Sequence, residues 1–164
     1  MKKGGLGVVL AALGALVALS ACGGGQDKSR SADTDSFECR NRRIAYIATG
    51  HFAGPEVRVV IDCSERGPRI FRRVALDQDG GEQTGEHSLP VARFDALWEK
   101  VESTGWRNLG DCDNPAAGEG DPAYKFGIKD ENDAVSLACA GKQLPFPFDR
   151  LLNELDLLVA EYGL

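Results

Sequence analysis

Cys39, Cys63, Cys112 and Cys139 are the side chains best able to do covalent chemistry with one another. Four thiols can close two disulfides in three ways, or they can hold a metal ion. A zinc site needs closely spaced Cys or His ligands. The sequence has no Cys-x-x-Cys and no His-x-x-x-His, and His51 and His87 are far apart in it. Two disulfides are therefore expected, and no metal. Catalytic constellations are not visible either. There is no Gly-x-Ser-x-Gly elbow, no His-Glu-x-x-His and no phosphate-cradling glycine loop. His51 falls in a turn, where a histidine is more often solvated than a general base. His87 sits just before a helix, as a capping-region residue. Asp77-Gln78-Asp79-Gly80 and Asp111-Cys112-Asp113 have the composition of calcium loops but lack Gly at position six and Glu at position twelve in register. No cofactor is expected, and no nucleophile–base pair marks an enzyme.

A fifth cysteine has a different setting. Lys2 and Lys3 precede an apolar run from Leu6 to Leu19, too short and Gly-rich for a membrane span. Leu19-Ser20-Ala21-Cys22 closes that run and resembles the bacterial lipobox. The resemblance implies that the Cys22 thiol is diacylated, that the chain is cut before it, and that the new amino terminus is acylated. The competing reading is a plain secretory signal that happens to contain Cys22. Residues 1–21 are then a signal peptide, 22–36 a lipidated flexible tether, and 37–164 a single domain. The tether, Gly23 to Ser36, has no apolar residue beyond Ala32 and can bury nothing. Neither Gly23 nor Gly24 is the Asp that tends to retain such lipoproteins in the inner membrane. The expected address is the cell envelope, and the outer membrane if the cell is Gram-negative.

Without residues 1–21 the chain carries 17 basic and 25 acidic side chains, a net of −8. That balance argues against nucleic acid and against electrostatic adhesion to anionic lipid, so membrane attachment rests on the acyl chains. The charge is uneven. Phe37–Leu76 holds eight Arg against four carboxylates, whereas Asp77–Leu164 holds seven basic and eighteen acidic residues. The ordinary reading is that the two halves attract each other across solvated faces. The sharper reading is a basic sheet face that meets an acidic partner.

Periodicity places the elements. Ile44–Ala48 and Val57–Ile61 alternate as half-buried strands, and Gly50-His51-Phe52-Ala53-Gly54-Pro55 between them makes a hairpin. A further strand is expected at Ile70–Leu76, followed by a turn at Asp77–Glu82. Ser88-Leu89-Pro90 starts a helix whose apolar face is Phe94, Leu97, Trp98 and Val101, with Gly105 as terminator. After an acidic loop, Gly110–Pro122, a second hairpin runs Ala123–Lys129 and Ala134–Ala138. A last helix presents Leu151, Leu152, Leu155, Leu158, Val159 and Tyr162. The expected fold is α+β, a small antiparallel sheet from two hairpins and a further strand, packed by two amphipathic helices. In a hairpin centred near Phe52, facing positions sum to about 104, and Cys39 with Cys63 comes close to that. Cys112 and Cys139 then pair by exclusion. Each bridge would close a loop of about 25 residues, worth roughly 3 kcal/mol.

Phe52 lies between small residues and is either pushed out of its turn or folded into the core, the commoner place. Here a second resemblance enters. The turn Gly50, Phe52, Ala53, Gly54, the hairpin opening Asp121, Tyr124, Phe126 and the closing helix Leu151–Leu158 resemble emfourin, a small proteinaceous inhibitor of thermolysin-type metalloproteases. His51 departs from the family's Gly, and the four cysteines and the lipid anchor are additions. The resemblance implies a binding surface at Gly50, His51, Phe52 and Gly54, with a secreted metalloprotease as partner. The leading expectation remains a lipid-anchored envelope protein with a non-catalytic, structural or accessory domain. The protease-inhibiting module is the alternative, and an enzyme or a small-ligand site ranks below both.

Overall fold

The computed structural model describes residues 41–76 and 80–164. Cys22, Cys39, the signal and tether, and positions 77–79 of the expected turn lie outside the described residues. Alternating residues build three successive strands, β1 (Arg43–His51), β2 (Gly54–Ser64) and β3 (Gly67–Ala75), and a fourth without alternation follows, β4 (Glu82–Ser88). Helix α1 (Val91–Glu102) follows, then a 3-10 turn (Trp106–Asn108), β5 (Ala123–Lys129), β6 (Ala134–Ala140) and α2 (Phe148–Glu161). Among the described residues the strands form a six-stranded sheet in the order β4-β3-β2-β1-β5-β6, and every pairing is antiparallel. The fold is α+β, as the periodicity requires.

One sheet face is apolar. Ile44, Tyr46 and Ala48 of β1, Val57, Val59 and Ile61 of β2, and Tyr124, Phe126 and Ile128 of β5 are all buried there. Against them α1 sets Phe94, Leu97, Trp98 and Val101, and α2 sets Phe148, Leu151, Leu155 and Leu158. Both helices thus use the stripes expected of them, and the 3.6-residue period explains why. The loop after the 3-10 turn laces the β6 edge. The Cys112 N–H donates to the Ala138 carbonyl (2.9 Å), and Asp111 Oδ1 accepts from the Ala138 N–H (2.6 Å). The Cys112–Cys139 disulfide (Cα–Cα 5.0 Å) locks that loop to the strand, the second of the two expected pairings.

Several expectations need correction. Glu82 and Ser88 are not loop and helix start: they bound β4, and α1 begins only at Val91, after Pro90. His87 is therefore a strand residue, exposed, its ring 5.9 Å from that of Tyr162. Gly105 does not itself end α1, because Ser103 caps it; Gly105 (φ 67°) opens the 3-10 turn instead. The first hairpin is registered one position later than expected. Ile44 faces Ile61 and His51 faces Gly54, so facing positions sum to 105. Cys63 consequently lies opposite Arg42, whose carbonyl accepts its N–H (3.0 Å). Its expected partner, Cys39, stands outside the described residues.

Candidate functional site

The β1–β2 turn is as tight as a hairpin allows: only Phe52 and Ala53 separate His51 from Gly54. Its glycines have different tasks. Gly50 has φ 68°, a left-handed conformation that a side chain rarely adopts. Gly54 is needed for space. A Cβ there would collide with the Ala75 carbonyl oxygen and lie 2.8 Å from Val74 Cγ1. Gly54 therefore serves the packing of β2 on β3.

Phe52 is not core. It is 95% exposed, the most exposed large apolar side chain of the described residues. Its ring rests on His51 (centroids 4.2 Å apart). His51 is half-buried rather than solvated, and its Nδ1 accepts the Ala53 N–H (3.2 Å). That bond uses the lone pair of a neutral imidazole, and burial lowers the His51 pKa.

Behind the tip the rings continue into the fold. His51 lies 6.4 Å from Tyr124, and Tyr124 lies 6.2 Å from Tyr46. The Tyr46 hydroxyl donates to Asp156 Oδ1 of α2 at 2.7 Å. Burial, followed by the Asp156 charge, raises the Tyr46 pKa. Burial also raises that of Asp156, against the opposing pull of the Tyr46 bond, His51 and Arg72. Tyr46, Asp156 and Arg72 were not singled out from the sequence. A signal existed for Asp156. It lies four residues after Leu152 and three before Val159, on the flank of the apolar stripe, where a carboxylate must find a donor.

The sheet brings together His51 and Phe52 with Tyr124 but leaves His87 on β4, at the far edge from β5. Asp121 closes its own loop by accepting the Gly118 N–H (2.8 Å), which holds its carboxyl below the usual range. Among the described residues no group of three or more His, Cys, Asp or Glu is placed to hold a metal ion. None of their helices is long and apolar enough to cross a membrane. No family model matches the chain, and no curated protein matches it significantly.

The polar cluster makes a pH prediction. A carboxyl with a raised native pKa binds its proton more tightly when folded, so the native state gains stability as pH falls through that pKa. Near neutrality the Asp156 charge opposes folding. Asp156→Asn keeps an acceptor for the Tyr46 hydroxyl and removes the charge. Urea unfolding should show the variant gaining on the parent near pH 7 and losing that advantage by about pH 4. A difference that does not change with pH would refute the assignment.

Proposed function

We propose that this chain is a lipid-anchored envelope protein whose domain binds rather than catalyses, and that the β1–β2 tip meets a protein partner. The observation that carries the reading is Phe52. A large apolar ring stands in solvent on a two-residue turn, held by strands of 9 and 11 residues. Exposing it wastes the burial free energy of an aromatic side chain, roughly 1.5–3 kcal/mol, unless a second surface covers it. Aromatic anchors on rigid supports are the usual centres of protein interfaces. Attachment through acylated Cys22 and the tether at 22–36 would present that tip away from the membrane.

Export also suits the disulfides, which persist in oxidising compartments. The Cys112–Cys139 bridge supports that setting. We assign the second pairing to Cys39 and Cys63. Cys63 is buried at the end of β2, and Cys39 precedes its neighbour Arg42 by three residues, within about 10 Å of chain.

The resemblance of Gly50, Phe52, Ala53 and Gly54 to the emfourin turn favours one class of partner, a thermolysin-type metalloprotease. The test uses the full anchored chain. Cys22→Ala should leave an unlipidated precursor, read by mass and by loss of acyl label. A photo-crosslinking residue at position 52 should give one defined protein adduct in the envelope or with added thermolysin-type protease. Phe52→Ala should unfold at the parent's temperature yet lose the partner, read as inhibition or as retention on it. A folded Phe52→Ala variant that binds as well as the parent sinks the proposal, as does the absence of any adduct.

A further inference from the structure

Both helices lie on one face of the sheet. Among the described residues no helix covers the other, and the Asp111–Cys112 segment borders it beside Thr49 and Lys125. That open face follows from the register, which stacks its side chains into rows running across the strands. One row reads Arg69, Asp62, Arg43, Lys129 from β3 to β5. The next is Phe71, Val60, Ala45, Gly127, and the third Arg73, Arg58, Ile47, Lys125. Rows are two residues apart along a strand, about 7 Å. An apolar rib therefore runs between two rows of cations.

The rib is not filled. Two adjoining grooves of about 270 and 370 Å³ lie along it, and Arg43 lines both. Gly127 forms part of the floor, and a Cβ there would meet nothing within 4 Å. The charges are unequally satisfied. Arg69 pairs with Asp62 (2.9 Å) and Glu86 (3.2 Å), and Arg73 with Glu82 (2.7 Å). Arg43, Arg58, Lys125 and Lys129 have no ion-pair partner among the described residues. The Nε of Arg58 is out of solvent and makes no hydrogen bond. A buried unpartnered donor is costly and points to a missing acceptor.

We propose that this face is a docking surface for an acidic polypeptide segment. The segment lies along the rib across β3, β2, β1 and β5, with apolar side chains on Phe71, Val60 and Ala45 and carboxylates to both sides. Four strands at about 4.8 Å spacing give a track of some 15 Å, the length of four or five extended residues. Charge complementarity selects the ligand: a planar guanidinium receives a carboxylate on two parallel bonds. The rim selects a narrow one. Glu56, Glu82 and Glu86 share the open face and border the cation rows. A flat anionic membrane would meet those carboxylates together with the cations, whereas a narrow segment on the rib meets Arg43, Arg58, Lys125 and Lys129. The carboxylates that line its groove, Asp62 and Glu86, are already paired with Arg69.

The probe is a labelled eight-residue peptide alternating Glu and Leu, titrated onto the full chain, with its Lys–Leu counterpart as control. The acidic peptide should bind, the basic one should not, and affinity should fall as salt rises. Arg43→Ala with Lys129→Ala should weaken binding about tenfold, the loss expected of two partly exposed charge contacts. Both side chains are exposed, so the fold should survive. Gly127→Val should fill the groove floor and weaken binding while the unfolding midpoint holds. Arg150→Ala, on an exposed side chain of α2, should leave binding unchanged. Equal binding by the double variant overturns the proposal, as does no binding by the parent. So does capture by phosphatidylglycerol vesicles, lost on the same substitutions, in place of the peptide.

Discussion

Phe94→Ala should destabilise the domain by about 3–5 kcal/mol. Phe94 is completely buried on the inner face of α1, its ring stacked against Trp98 (centroids 6.1 Å, planes 12° apart). Trp98 in turn meets Trp106 edge-on at 6.3 Å. Truncation removes the transfer free energy of the ring and leaves a cavity beside the Trp98 indole, which Trp106 backs and which is too rigid to collapse into it. A domain of this size has only about 5–15 kcal/mol of stability, so the variant should be marginal or unfolded at room temperature. Urea denaturation gives the number. Phe52→Ala provides the internal comparison, because the same substitution at an exposed ring leaves no cavity. A loss below about 1 kcal/mol at Phe94 would show that α1 is not fixed to the sheet as described.

Much of this architecture was legible because its signals are local. Phe94, Leu97, Trp98 and Val101 repeat at helical spacing, and burial of all four follows from that period alone. Tyr124, Phe126 and Ile128 alternate just as plainly. Strand β4 gave no such signal. Glu82-Gln83-Thr84-Gly85-Glu86-His87-Ser88 contains no apolar residue and is exposed nearly throughout. It is a strand because β3 offers it a backbone edge and because Arg69 and Arg73 bind Glu86 and Glu82. Those pairings join residues 17 and 9 positions apart across a turn, and no hydrophobic period marks them.

The site shows the same division. Alternation through Ile44, Tyr46 and Ala48, extended by two and two, would carry Phe52 into the core. The left-handed Gly50 breaks the alternation and turns the ring outward. The bond between Tyr46 and Asp156 joins residues 110 positions apart and depends on where α2 lands, which periodicity does not say. The open basic face was partly legible as an excess of Arg before Leu76. Its cation rows needed the register, since Lys125 and Lys129 come from the acidic half of the chain.

Loss of the Cys112–Cys139 bridge, by reduction or by Cys112→Ser with Cys139→Ala, should lower stability by about 3.5 kcal/mol. The two residues are 27 positions apart, and freeing a loop of that length restores considerable entropy to the unfolded chain. The native state also loses something specific. Strand β6 is an edge of the sheet, and the 111–114 loop is what covers it. Besides the two bonds to Ala138, Asn114 Nδ2 donates to the carbonyls of Ala140 (2.7 Å) and Gln143 (2.9 Å). Without the covalent tie these hydrogen bonds must hold the loop alone, against its own chain entropy. Amide exchange should therefore accelerate first at Cys112 and Ala138, before the strands at the centre of the sheet respond. The freed edge then exposes backbone donors and acceptors to a second chain, so the variant should associate at high concentration. If exchange instead rises uniformly across the sheet, the bridge acts only through the unfolded state and the loop is not a cover. If stability and exchange both stay at the parent's values, the loop is held to β6 by its hydrogen bonds and the disulfide is dispensable.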